Sequence, residues 1–306
     1  MKRNFMDSFT VRAPASSANL GPAFDCLGLA LDLWNEVRIT VGGKRLDIQI
    51  SGEGEDTLAR DESNLIHLAF KEVFVEAGKE PAKGILIESR NRIPLSSGLG
   101  SSSAAILCGM LAANHLLEKK IDKAALLQLG VKLEGHADNL AAALYGGLVL
   151  VSQEGEKFVP RPLEFYELQA VVVLPDIEVS TAEARKAIPK KVLLGDAVFN
   201  IAQSIALAEA LRDGDVSQLA RAMEDKLHQP HRLKLYPGAD EALRDARMAG
   251  AAAALSGAGP SLIAFVEAGR EKAIAEAMRG PFMERGIGTR QYLLKSTKRA
   301  AEIIPR

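Results

Sequence analysis

An α+β fold of two domains is what this chain predicts, on three observations. Its short β-branched segments come in groups rather than in strict alternation with helices, which favours α+β over a doubly wound sheet. Its 306 residues suffice for two domains of ordinary size. The polar stretch QEGEKFVPRPLEFYE (153–167), with two prolines, separates two apolar segments and is the best candidate for a domain boundary.

In chain order, FTVRAPA (9–15), EVRITV (36–41), LDIQIS (46–51) and GILIES (84–89) are short, β-branched and often alternating, and read as strands. SNLIHLAFKEVFVEAG (63–78) carries apolar residues at helical spacing, opens on Ser63 as a cap and closes on Gly78 in the C′ position. SSAAILCGMLAANHLLEKK (102–120) is apolar on all sides and reads as a buried helix, with another from about Lys123 to Leu133. GGLVLVS (146–152) returns to strand. Beyond the boundary come a strand (168–175), helices over 181–188, 192–213 and 215–228, a strand (261–267), a helix (270–286) and a strand (289–296).

Hydrophobic residues make up 47% and charged residues 25%, an ordinary globular balance without repeats. Lys plus Arg at 38 nearly matches Asp plus Glu at 39, so no basic surface recommends a nucleic-acid binder, and an anionic ligand needs local donors. Cys26 and Cys108 lack metal or redox spacing and read as small buried hydrophobes in a reducing compartment. MKRNFMDSFTV lacks a signal-peptide core, and no apolar stretch reaches the ~18 residues of a membrane span, so a soluble cytoplasmic protein is expected.

The strand at 84–89 leads into PLSSGLGSSSAAI, which begins at Pro94, and a buried helix follows at once. A helix N-terminus leaves unpaired N–H groups and a partial positive charge. Glycines let the loop fold tightly, and serine hydroxyls add donors, one of which can ligate the Mg²⁺ that accompanies a phosphate. The plainer alternative is a Ser-capped helix behind a flexible loop. A Walker loop is absent, and Ser103 stands where GxGxxG needs its third glycine.

Three further segments carry polar residues in apolar settings. ALSGAGPSLIAF (254–265) places Gly257 and Gly259 before Pro260, as a close backbone approach or a simple hairpin would need. APASSANLGPAFDCLGLAL (13–31) sets Asn19 and Asp25 among small and apolar residues, which suits a polar ligand. LEGHADNLAAALYGG (133–147) gathers Glu134, His136, Asp138 and Asn139, fit either to bind a hard cation through oxygen or for Asp138 to cap the helix after it. His136 has no second soft ligand at zinc spacing.

With these loops in this order, the chain resembles the GHMP superfamily of small-molecule kinases: galactokinase, homoserine kinase, mevalonate kinase and phosphomevalonate kinase. PLSSGLGSSSAAI looks like its phosphate-loop motif and ALSGAGPSLIAF like its C-terminal glycine motif, while the N-terminal loop and EGHADN are most similar to the homoserine kinase branch. The resemblance implies a two-domain fold, with a ribosomal-protein-S5-like ATP-binding domain over 1–160 and a ferredoxin-like domain over 161–306. It implies a phosphate loop at 95–105 and ATP held by Pro94, Leu95, Ser96, Ser97, Gly98, Leu99, Gly100, Ser101, Ser102, Ser103 and Ala104, with Asn64 and Leu65 bordering adenine. It further implies Mg²⁺ on Ser102 and Glu134, and L-homoserine as substrate on the way to threonine. Asp25 would take the ammonium, Arg185 and Arg232 would clamp the carboxylate, and Asn19 and Asn139 would orient the hydroxyl, with His136 and Thr181 nearby. Ser103 departs from an alanine common in relatives, and Asn139 stands where mevalonate and galactose kinases look to carry a catalytic Asp. Another small alcohol such as mevalonate, or a silent nucleotide-binding relative, stays open as an alternative. A homodimer is compatible with all of this.

Overall fold

The computed structural model describes residues 7–42, 45–81 and 84–304. The chain begins with β1 (Asp7–Ala18), β2 (Leu27–Val41) and β3 (Leu46–Gly52), crosses over through α1 (Leu65–Glu76) and returns as β4 (Ile85–Asn91). Three helices follow, α2 (Ser101–Leu116), α3 (Lys123–Glu134) and α4 (Asp138–Tyr145), then the hairpin β5 (Leu148–Glu154) and β6 (Lys157–Leu163). These strands, with β11 (Glu302–Ile304) added, build a seven-stranded sheet with the path β11-β1-β2-β4-β3, β5 lying against β2 and β6 against β5. Only β3 and β4 run parallel in it, as the α1 crossover requires.

The second sheet is antiparallel, in the order β10-β7-β9-β8, and is made from β7 (Gln169–Pro175), β8 (Ala252–Leu255), β9 (Leu262–Val266) and β10 (Thr289–Lys295). Between β7 and β8 run α5 (Thr181–Lys186), α6 (Leu194–Asp213), α7 (Val216–Ala222), α8 (Gln229–Arg232) and α9 (Ala239–Met248), and α10 (Glu271–Met283) follows β9. Finally β11 (Glu302–Ile304) goes back to the first sheet and pairs with β1.

The run QAVVVLP in β7 is continuous because both of its faces are buried. Ala170 and Val172 join the large core shared with the first sheet, whereas Val171 and Val173 face a second core with Phe282 and Met278 of α10. Strand periodicity thus welds the two halves through one strand.

Several expected boundaries move, each for a local reason. Asn64, not Ser63, caps α1: its Oδ1 accepts from Ile66 N at 3.0 Å. Gly78 does take positive φ, as a C′ glycine should. The helix expected to reach 120 stops at Leu116, where the Asn114 amide exchanges two hydrogen bonds with Ile121, at 2.8 and 3.0 Å. The helix expected over 215–228 stops at Ala222, because the Asp225 carboxylate captures the N–H groups of Leu227, His228 and Gln229. The polar stretch 153–167 contains a strand, β6, and residues 160 and 161 both lie inside it. β2 starts nine residues before the expected Glu36, and α9, β8 and β11 lie outside the elements expected from the sequence, although the acids at the start of α9 and Arg247 at its end are a helix signal. Cys108 is buried and Cys26 half-buried, and burial pushes their thiols up to about 12 and about 11.

Gly109 marks where α2 crosses α1: a Cβ there would stand 2.1 Å from the Ile66 carbonyl oxygen. Helix propensity alone predicts that Gly109→Ala stabilises by about 1 kcal/mol. The contact reverses the sign, and urea unfolding of Gly109→Ala is expected to show a loss of about 1–3 kcal/mol.

Candidate active site

The glycine–serine loop is held from both halves of the chain. Asn35, in the middle of β2, accepts from the N–H groups of Arg92 (2.8 Å) and Ile93 (3.0 Å) and so fixes the approach. Inside the loop, Ser97 Oγ donates to Pro94 O at 2.8 Å and Ser101 Oγ to Ile93 O at 3.2 Å. The carbonyls of Ser97, Gly98 and Leu99 then turn away from the helix. They accept from Ser261 N (3.2 Å), Ser256 Oγ (2.8 Å) and Ser16 N (3.0 Å). Ala104 N reaches back to Gly100 O at 2.9 Å, while the N–H groups of Ser101, Ser102 and Ser103 bond to no backbone carbonyl among the described residues. Free donors gathered at a helix start suit an anion. Two glycines make the approach feasible. A Cβ on Gly98 would lie 2.2 Å from Ser256 O, and one on Gly100 would lie 2.2 Å from Ser16 Oγ.

Beside this helix start stands Glu134, the last residue of α3, its side chain only 6% exposed. One carboxylate oxygen accepts from Ser102 Oγ at 2.5 Å and from Ser103 Oγ at 2.9 Å. Gly135 turns the chain at φ 88° into the short link before α4. There His136 Nδ1 meets Asp138 Oδ1 at 3.0 Å, with Nε2 3.7 Å from Glu134. Burial opposes protonation of this imidazole, but the two carboxylates outweigh it and hold its pKa above the ordinary value. Asp138 opens α4 rather than preceding it, and its Oδ1 accepts from Asn139 N at 2.8 Å. Asn139 Oδ1 accepts from Ser16 Oγ at 2.9 Å.

At the far end, Asn19 and Asp25 both take positive φ in the loop after β1. Asn19 Nδ2 donates to Gly257 O at 2.8 Å, and its Oδ1 accepts from Asp25 N at 2.9 Å, tying this loop to the second glycine motif. Arg185 of α5 forks onto Asp25 with two bonds of 2.8 Å. Arg232 is different: it is 1% exposed. It donates only to neutral atoms, Ala184 O, Gly257 O and His228 Nδ1, and faces no carboxylate within ion-pair distance among the described residues. Burial and the neighbouring Arg185 both pull its pKa down. His228, stacked on Phe24, gives its Nε2 proton to Gly21 O at 2.7 Å, which leaves Nδ1 as the acceptor for Arg232.

One cavity of about 430 Å³ joins these parts. Asn19, Asp25, Asn64, Leu65, Leu95, Ser96, Ser97, Gly98, Gly100, Ser101, Ser102, Glu134, His136, Asn139, Thr181, Arg185 and Arg232 all line it. Pro94, Leu99, Ser103 and Ala104 stand behind the wall: the last three are fully buried, and Ser103 acts on Glu134 from there. Sequence reasoning missed Asn35, Ser89 and Asn91, which line the opposite end with Ile50 and Leu58. It also missed His228 and the pair Ser17 Oγ–Ser256 Oγ at 2.8 Å. A polar residue inside the apolar run of β2 was the available signal for Asn35.

The fold and this cavity define a GHMP kinase. The family of GHMP kinases N terminal domains matches residues 64–147, and that of GHMP kinases C terminal domains matches residues 207–282. The homoserine kinase of Moorella thermoacetica is 43% identical over 90% of this chain and 93% of its own, and that of Carboxydothermus hydrogenoformans 38% identical over 95% of each. The crystal structure of a homoserine kinase from Cytophaga hutchinsonii superposes with a TM-score of 0.86 at 32% identity, covering 99% of both chains. L. major mevalonate kinase, with 16% identity and a TM-score of 0.66, shares the fold alone. The chain belongs to the homoserine kinase family.

The His228 imidazole gives the site a pH signature. Burial holds its pKa below the ordinary 6.5, so the folded protein keeps it neutral while the unfolded chain takes up a proton. Its contribution to stability is complete above about pH 6.5 and is lost as pH falls from there toward the folded value. Thermal unfolding across this window is expected to show a shallower acid loss for His228→Gln than for the parent protein.

Proposed function

We propose that this cavity binds ATP and L-homoserine together and transfers the γ-phosphoryl group to the homoserine side-chain hydroxyl, a step toward threonine. The observation that carries the substrate reading is Arg232. A buried guanidinium without a carboxylate partner is costly, and a ligand carboxylate is the anion that would satisfy it. The Arg185–Asp25 fork beside it is about two-fifths exposed on each side, a setting in which an ion pair contributes at most ~1 kcal/mol. A zwitterion can replace both halves of that fork, its ammonium taking Asp25 and its carboxylate taking Arg185. Mevalonate has no ammonium, and Asp25 would then gain nothing.

At the other end, Asn64, Leu65 and Leu58 border the adenine, and the phosphates lie against the first-turn N–H groups of the helix at Ser101–Ser103. Ser102 and Glu134 form an all-oxygen donor set beside the phosphate loop, which suits Mg²⁺, an ion that binds one or two carboxylates together with nucleotide phosphates. Mg²⁺ bound there supplies charge neutralisation on the transferred group. Asn139 and Asn19 orient the acceptor hydroxyl, with His136 and Thr181 at the margin. An amide cannot take a proton, so no side chain serves as a dedicated base, and the hydroxyl proton leaves to phosphate or solvent late in the step. Catalysis rests on positioning and charge compensation. We place the enzyme in the cytoplasm, where both substrates are found.

ADP release with Mg-ATP is expected with homoserine and not with mevalonate or galactose, and a rate with mevalonate alone would overturn the reading. Glu134→Gln should lower kcat at least ~100-fold with a small change in the homoserine KM. Arg232→Ala should do the reverse, raising the homoserine KM by ~100-fold, the scale of a charge-assisted pair. Asn139→Asp should not raise kcat; a strong rise would disprove the base-free mechanism.

A further inference from the structure

The core-facing side of the first sheet changes character at one end. Along β4 that side reads Ile85, Ile87, Ser89 and Asn91, and along β2 it reads Ile39, Val37 and Asn35. Strand periodicity keeps each run on one face, and the pairing of Ile39 with Ile87 and of Val37 with Ser89 sets the two runs side by side. The polar residues that end them are buried like the apolar ones before them: Asn35 and Ser89 are 3% exposed and Asn91 7%. Buried polar groups ordinarily have partners, so each of these can be accounted for.

Ser89 Oγ donates to Asn91 Oδ1 at 2.7 Å, and Asn91 Nδ2 donates to Glu53 O at 3.0 Å. Asn64, on the same cavity wall, is committed in the same way. Its Oδ1 accepts from Ile66 N, and its Nδ2 donates to Ala59 O at 2.7 Å. Asn35 differs. Its Oδ1 accepts from both Arg92 N and Ile93 N, which fixes the oxygen end of the amide, while its Nδ2 donates to nothing among the described residues. Of the three asparagines, Asn35 alone keeps both N–H groups free. The nitrogen is not sealed in the core either, because the sealed polar atoms without a partner among the described residues are His67 Nδ1 and Ser261 Oγ. Asn35 lines the cavity, and its free N–H groups open onto that space.

We propose, given an ATP site in this cavity, that Asn35 is the donor that reads the nucleobase, its Nδ2 giving a hydrogen bond to a ring nitrogen. Ile50, Leu58, Ala59 and Leu65 line the same cavity. Apolar walls of this kind suit a flat aromatic ring with a polar edge, whereas a ribose would need a partner for each hydroxyl. A ring nitrogen offers a lone pair without a proton, the complement of a free N–H. The oxygen of the same amide holds the two residues that lead into the glycine–serine loop. One side chain thus serves the base with its nitrogen and the approach to the phosphates with its oxygen.

Calorimetric binding of Mg-nucleotide without an amino acid tests this independently of the acceptor. The parent protein should bind one of 1-deaza-, 3-deaza- and 7-deaza-ATP ~10-fold more weakly than ATP, the scale of one lost hydrogen bond. Asn35→Asp keeps an oxygen for Arg92 N and Ile93 N but turns the donor into an acceptor. It should weaken ATP at least ~10-fold and bind the sensitive deaza analogue no more weakly than ATP. General repulsion by the new carboxylate would weaken every analogue alike, so the loss of additivity isolates the contact. Asn35→Ala serves in the same cycle if the aspartate variant fails to fold. Three deaza analogues that all bind the parent protein like ATP would overturn the assignment. So would a deaza deficit that persists in full in the variant, or a 2′-deoxy-ATP deficit that the variant abolishes, which would put the amide on the ribose. A parent protein that binds no nucleotide would overturn the kinase reading itself, and the role of Asn35 with it.

Discussion

Everything at the Gly98–Ser103 end of the cavity depends on three carbonyl groups being occupied elsewhere. In an uninterrupted helix the oxygens of Ser97, Gly98 and Leu99 would accept from the N–H groups of the residues one turn on. Here they are claimed by Ser261, Ser256 and Ser16, which come from the second sheet's connecting loop and from β1. The free donors of Ser101–Ser103 are therefore a property of tertiary structure and not of the loop alone. This is also why glycine occupies positions 98 and 100, where the crossing backbones and Ser16 leave no room for a side chain.

At the acceptor end the governing quantity is uncompensated charge. Arg232 is held by a backbone carbonyl on either side and by a neutral imidazole, so its position is fixed while its charge is left unmet. Asp25 and Arg185 compensate each other in a half-exposed fork that is easily exchanged. Arg185, Arg232 and Asp25 line one cavity, with Glu134 and Asp138 on its wall as well. The two halves of the site also share parts. Gly257 O accepts from both Asn19 and Arg232, so the loop whose Ser256 and Ser261 hold the Ser97–Gly98 carbonyls also holds the Asn19 and Arg232 side chains.

Much of this was legible in the chain because chemistry concentrates in short segments. The phosphate loop, the Glu134–Asn139 segment and the Asn19–Asp25 loop each combine residue types that make little sense as plain core or plain surface. What stayed hidden was relational. Asn35 looks like one polar residue in a strand, and only the fold brings it under Arg92 and Ile93. Ser256 reads as a turn residue until it is seen under Gly98. Among elements, β6 was masked by its two prolines, and β8, AAAL, has no periodicity to read because it is buried on every side. The helix expected through 228 failed for a reason outside helix propensity, a single carboxylate drawing three N–H groups onto itself.

The return of β11 to the first sheet covers an edge. β1 is hydrogen-bonded to it from Thr10 to Arg12, and Arg12 is paired with Glu302. Without β11, the edge of β1 from Thr10 to Arg12 would have its N–H and C=O groups unmatched. An open edge of this kind is where one chain can add to another. A strand of only three residues, from a part of the chain about 290 residues away in sequence, closes it.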